Sequence, residues 1–280
     1  MNEGVNQDSS HKWLQWLSIG QGLKWCIYGV LAINFLFYVF EEADQAMLLL
    51  DAESDWLAWS AAFKTTIDEL GWLGLLLAFE LETYWLANRS EAKRRVNVWL
   101  AGFRGVCYVL LAHTILTNVN SAREYLALPA QPIAQDLCEL TDTDSFYRFN
   151  LDYQSITEDN CAALNPSEPN YRVEPGVLTS EKGFAVAGWH TWIDLQDAIA
   201  WIIVVLAIEL SVRLQNLGIT KGRFLMLAQV ARLGYGVLVL DGVFWLVMGH
   251  YLYAFDQAVW IGGFWAIEHN LKMRRSTLDR

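Results

Sequence analysis

The chain has 280 residues, 54% of them hydrophobic, with 14 tryptophans, 20 Lys plus Arg against 31 Asp plus Glu, and a net charge of −11. An acidic chain with positive mean hydropathy and a charged fraction of only 18% must keep its charge apart from its apolar runs. The lack of a basic face excludes a nucleic-acid binder and the apolar load excludes disorder, which leaves a polytopic membrane protein whose first partner is the lipid bilayer.

A membrane helix needs about 20 largely apolar residues to cross a core of about 30 Å. In chain order, the first stretch of that kind runs from Leu23 to Phe40. Glu41-Glu42 follow where a cleavage site would need small residues, so the stretch reads as a retained span rather than a signal peptide. Between Met47 and Phe63 apolar and acidic residues mix, as expected of an outer extension of the second span or of an interfacial helix. The second span covers Phe63 to Ala87 and the third Val96 to Asn118.

Residues 120–186 form the one sizeable extramembrane segment, flanked by membrane parts 1–119 and 187–280. All five prolines lie in it, so none breaks a membrane helix. Cys138 and Cys161 also lie there, and the segment is expected to be closed by their disulfide; Cys26 and Cys107 fall inside spans and read as small buried residues. The fourth span covers Gly188 to Val212. The block from Phe224 to Asn270 is too long for one crossing, and Gly249-His250, with Asp256 just beyond, divides it into a fifth and a sixth. Glycines Gly234, Gly236, Gly262 and Gly263 are expected to let helices approach closely.

Flanking charge sets the orientation. Residues 87–95 carry four bases against one acid, and 213–223 three bases and no acid; the tail from Leu271 carries four bases against one acid. Residues 41–63 carry six acids and no base, and 121–183 eleven acids against four bases. Basic short loops mark the cytoplasmic side, so both termini are expected there, in a plasma membrane of the bacterial inner type. Trp56, Trp59, Trp189 and Trp192 fall at the outer boundary, and Trp13, Trp16, Trp25, Trp85 and Trp99 at the inner one.

The second and third spans match the fourth and fifth. Asp68 aligns with Asp197, Trp72 with Trp201 and Ala78-Phe79-Glu80-Leu81 with Ala207-Ile208-Glu209-Leu210. After a one-residue adjustment, Asn88, Lys93, Arg95, Arg104 and His113 meet Asn216, Lys221, Arg223, Arg232 and Asp241. Both hairpins start and end outside, which makes this a parallel repeat. The expected fold class is therefore all-α: six transmembrane helices with two related hairpins and one disulfide-closed extracytoplasmic loop.

Ten acids but only four bases fall within or at the edges of the spans. A charge at the bilayer centre costs at least about 2.5–3.5 kcal/mol, so each must face protein, water or a partner. Counted from the cytoplasmic turns, Glu80 is level with Arg104, and Glu209 with Arg232, which suggests two ion pairs that fix helix register. Further out, Asp68 is level with His113, and Asp197 with Asp241, with Asp194 one helical turn from Asp197. If the hairpins pack face to face, Asp68, His113, Asp194, Asp197 and Asp241 form a cluster that binds a cation or a proton.

The chain has no H-E-x-x-H, C-x-x-C, G-x-S-x-G or phosphate-binding glycine loop, so an enzyme is not indicated. A bound cation is the one cofactor these residues call for. The expected function is a transport protein or channel for small cations or protons. The alternatives are a non-catalytic subunit or scaffold of a larger membrane complex, docking with itself or other membrane subunits, and an intramembrane metal or redox protein.

Overall fold

The computed structural model describes residues 5–51, 53–82, 93–129, 132–133, 136–143, 145–164, 169–217 and 222–278. The chain is mostly helical: α1 (Val5–Leu49), α2 (Trp56–Ala62), α3 (Lys64–Glu80), α4 (Lys93–Ala127), the short α5 (Cys161–Leu164), α6 (Glu181–Asn216), α7 (Arg223–Val247) and α8 (Tyr251–Leu278). Four strands, β1 (Phe146–Phe149), β2 (Asp152–Ser155), β3 (Asn170–Glu174) and β4 (Val177–Ser180), lie between α4 and α6. Two compact units result, one of Met1–Glu41 with Gly242–Arg280 and one of Glu42–Asp241.

Among the described residues three helical stretches are long and apolar enough to cross a membrane: Trp25–Leu49, Val98–Ala127 and Gln229–Val247. Their surfaces fit that setting. Large apolar side chains stand exposed along the helices, among them Phe37 and Phe40 on α1, Val106 and Val109 on α4, Leu206 on α6, and Leu240 and Val243 on α7. Polar groups lie inside instead: Asn34, Glu42, Glu69, Asn118, His190, Asp241 and Asp256 are all buried. Water would invert that distribution, whereas lipid tolerates it provided that inward polar groups find partners.

Helix ends follow local chemistry. α1 continues through Glu41-Glu42 to Leu49, well past the expected Phe40, because nothing before Leu50 breaks it and because the Glu42 carboxylate is bonded. Glu42 Oε1 and Oε2 accept the Thr65 and Thr66 N–H groups at 2.7 and 2.9 Å, satisfying orphan donors at the start of α3. The segment before α3 forms the short helix α2, capped by Asp55, whose side chain accepts from the Ala58 N–H at 2.7 Å. α2 is neither a plain extension nor detached: backbone bonds run through Phe63 on both sides, while its dihedrals (φ −99°, ψ 30°) bend the axis there. Past Asn118, α4 runs on to Ala127, two residues before Pro129. Ser180 caps α6 by accepting the Gly183 N–H at 3.1 Å, which starts that helix seven residues before the expected Gly188.

The expected division at Gly249-His250 is present. Gly249 adopts φ 85°, and the His250 and Gly249 N–H groups reach back to the Trp245 and Leu246 carbonyls at 2.9 and 3.2 Å. This left-handed cap ends α7 and lets α8 begin at Tyr251.

The all-α class is corrected between α4 and α6, where the strands form a sheet in the order β2-β1-β4-β3. β1–β2 and β3–β4 are antiparallel hairpins, and β1 pairs with β4 in parallel. Alternation divides the faces. Leu137, Tyr147, Ile156 and Leu178 pack with Cys161 on one side, while Val173 and Val177 pack on the other with Ala187 and Phe184 of α6, Tyr125 of α4 and Leu49 of α1. The expected Cys138–Cys161 disulfide is formed, with Cα atoms 5.0 Å apart. Arg148 on β1 holds Glu174 of β3 at 2.5 Å and lies over the Tyr153 ring, whose hydroxyl donates to Glu174 at 3.1 Å.

Candidate functional site

In the second unit, α3, α4 and α6 bring polar side chains together near the start of α3. Lys64, at the first position of α3, places its ammonium 2.5 Å from Asp194 of α6. It also donates to Asn118 of α4 at 3.1 Å, and the Asn118 amide donates to the Asp194 carbonyl at 3.2 Å. Three helices thus meet on one charged, hydrogen-bonded junction. Each ion is about 29% exposed, so the pair is partly solvated.

Of the other residues expected in the cluster, Asp68, His113 and Asp241 each reach a partner outside it. Asp68 accepts the Trp72 indole N–H at 3.0 Å, one turn along α3. The His113 ring reaches the Ser60 carbonyl at 3.4 Å and so ties the end of α2 to α4. Asp197 is half-buried on α6. Asp241 on α7 is 1% exposed; its Oδ1 accepts the Gln196 side-chain amide of α6 at 2.7 Å, while Oδ2 is buried with no hydrogen-bond partner among the described residues. No group of three or more His, Cys, Asp or Glu side chains is placed to hold a metal among the described residues.

At the other end of α3, the Arg104 guanidinium lies 2.5 Å from Glu82, two positions beyond Glu80 and just past the end of that helix. Both partners are substantially exposed, at 34% and 54%. Glu209 accepts the Tyr108 hydroxyl of α4 at 3.3 Å, and Arg232 is exposed on α7. Arg104 therefore has an acid partner two positions beyond Glu80, and Glu209 has a phenol partner on α4.

The matched tryptophans of the repeat, Trp72 and Trp201, pack against each other with ring centroids 5.8 Å apart, and Ala78 and Ala207 are both buried. α7 approaches α6 at Gly234, where an added Cβ would lie 2.5 Å from Val204 Cγ2. Gly236 and Gly262 face open space, and Gly263 has Ile27 at 4.0 Å. Trp25, Trp56, Trp59, Trp99, Trp189 and Trp192 are all exposed. The turn residues Asn88, Lys93, Arg95, Asn216, Lys221 and Arg223, the tryptophans Trp13, Trp16 and Trp85 and the Glu268-His269 pair lie outside the described side chains.

The first unit carries a polar cluster of its own that sequence reasoning did not assign. The buried Asn34 amide of α1 donates to the buried Asp256 carboxylate of α8 at 2.9 Å. One turn further, Tyr38 stacks on Tyr253 at 5.5 Å, and the Tyr253 hydroxyl donates to Glu41 at 3.2 Å. Trp245 and His250 pack against the same Tyr253 ring. The spacing Asn34-Tyr38-Glu41 on α1 against Tyr253-Asp256 on α8, each at one helical repeat, was the available signal.

The chain matches no protein-family model, no curated protein and no solved structure.

Proposed function

We propose that the chain is an integral membrane transport protein or channel that handles small cations or protons, built on six spans with both termini cytoplasmic in a plasma membrane of the bacterial inner type. The observation that carries this reading is Asp241: a fully buried carboxyl on the most apolar helix, met by one neutral amide. An ionisable group held that way inside a lipid-exposed helix is costly and is retained where it does something. Its setting supports the reading, since apolar side chains cover the outside of the helices while polar ones line their contacts. The acidic segment 41–63 and the acidic sheet domain supply a negative outer field that raises the local concentration of cations and protons. Contact between Trp72 and Trp201 supports descent of the two hairpins from one, with Lys64–Asp194 as the junction between them.

The test is ion movement in proteoliposomes. Asp241→Asn and Asp197→Asn are expected to slow the flux of protons or of small cations, and unchanged flux in both sinks the proposal. Stoichiometric co-purification with a different chain, together with no flux by the isolated protein, would favour the subunit reading instead.

A further inference from the structure

We propose that the species exchanged at Asp241 is a proton, taken up on Oδ2, and not a metal cation. The inference rests on the transport reading above and names its substrate. Hard cations in proteins are held by about six oxygen donors. Two of the acids that would have to supply them are engaged elsewhere: Asp194 by the Lys64 ammonium at 2.5 Å and Asp68 by the Trp72 indole at 3.0 Å. His113 is turned to the Ser60 carbonyl. What remains at Asp241 is a single carboxyl group with one oxygen bonded to Gln196 and one oxygen buried and unpartnered. One oxygen is too few for a cation and enough for a proton.

Burial supplies an independent argument. Leaving an ionised carboxylate in an apolar surrounding costs far more than leaving a neutral acid there, even one whose hydroxyl lacks an acceptor. The charged and titratable groups on the elements around it do not offset that cost by contact. On α6, which packs against Asp241 through Gln196, Asp194 is paired with Lys64 of α3, while Asp197 is a second acid and His190 lies nearly two turns before Gln196. On α7 itself Arg232 is exposed and nine positions away. The one donor that reaches the carboxyl, the Gln196 amide, is neutral. The exchange is a simple ionisation. Oδ2–H loses its proton to water and leaves the carboxylate, which regains a proton from water, and no other bond forms or breaks. Gln196 is a positioning residue, since its amide can hold Oδ1 in both states and fix the direction in which Oδ2 is presented.

The experiment uses the full chain, wild type, Asp241→Asn and Asp241→Glu, in phosphatidylethanolamine–phosphatidylglycerol vesicles. Two readouts are taken: the infrared carbonyl band of a protonated carboxyl across a pH titration, and dissipation of an imposed pH gradient compared with sodium and potassium gradients. The expected result is a pH-dependent carboxyl band that is lost in Asp241→Asn and kept, shifted, in Asp241→Glu, with pH-gradient dissipation falling to the protein-free leak in Asp241→Asn alone. A band unchanged in Asp241→Asn overturns the proposal, as does sodium or potassium movement that depends on Asp241 while the pH gradient is untouched. Vesicles that move no ion sink the transport reading, and the infrared band then judges the proton site by itself. If Asp241→Asn does not fold, the band is sought in wild type and its shift in Asp241→Glu; absence of the band in wild type is again fatal.

Discussion

Gly234→Ala tests the contact between α6 and α7 on which the second hairpin depends. The new Cβ would lie 2.5 Å from Val204 Cγ2, against an ordinary carbon–carbon contact of about 3.5–4.0 Å, so the helices must separate by about 1 Å or Val204 must move. Val204 has no exposed surface, and its β-branched side chain has one favoured rotamer in a helix, so it cannot swing aside. Overpacking of this kind costs about 1–3 kcal/mol. Replacing glycine in a helix returns up to about 1 kcal/mol of propensity, and Gly236→Ala measures that gain alone because nothing lies within 4 Å of it. Unfolding in mixed detergent micelles should therefore place Gly234→Ala about 1–3 kcal/mol below Gly236→Ala. Adding Val204→Ala to Gly234→Ala should recover part of the loss, because it deletes the overlapping methyl. Equal stabilities for the two glycine variants, or strict additivity of Val204→Ala with Gly234→Ala, would refute the packing.

Lys64→Met should destabilise more than the Lys64→Met/Asp194→Asn pair, by about 1–2 kcal/mol given partial solvation of the ions, and a double-mutant cycle in detergent measures the difference. Arg104→Ala, by contrast, removes an exposed partner of Glu82 and should cost no more than about 1 kcal/mol in the same unfolding assay. Opening the disulfide as Cys138→Ser/Cys161→Ser frees a loop with a sequence separation of 23, and should cost about 3 kcal/mol, read as faster proteolysis of the sheet domain with the helices intact. Burial holds the Tyr153 phenol protonated above the usual value of 10.0, against the opposing pull of Arg148. Its contribution to the sheet domain is fully present below about pH 10 and is lost as the pH rises beyond that, so alkaline melting should be steeper in wild type than in Tyr153→Phe.

Helix positions were legible in the sequence because lipid imposes a length and because Pro and Gly are concentrated where helices stop: Pro129 lies two residues past α4 and Gly249 caps α7. The disulfide was legible because Cys138 and Cys161 share the one long segment between helices. The sheet was not. Its strands are four or five residues long, too short for alternation to stand out, and their pairing depends on contacts such as Phe146 with Val177, 31 positions apart. Partners of charged groups were half legible. Depth put Glu80 and Arg104 in one layer, but a guanidinium reaches several positions, and the structure brings it to Glu82. Lys64 was visible as a base at the outer end of a span rich in acids, yet nothing local connects it to Asp194, 130 positions away. Neutral donors escaped altogether, since Gln196, Asn118 and Asn34 carry no charge pattern by which a sequence could single them out.

Those neutral donors change what the acid surplus within the spans does. Asp194 meets a cation, and so does Glu82 just past the end of α3. Asp68 meets an indole, Glu209 a phenol, Asp241 and Asp256 side-chain amides, and Glu42 the backbone amides of a helix start. Each of these donors satisfies an oxygen and brings no formal charge of its own. A neutral donor satisfies a buried oxygen and also ties two helices together, as Gln196 and Asp241 tie α6 to α7. On the proposed reading, the proton is held on the buried Oδ2 of Asp241 while Oδ1 stays on the Gln196 amide.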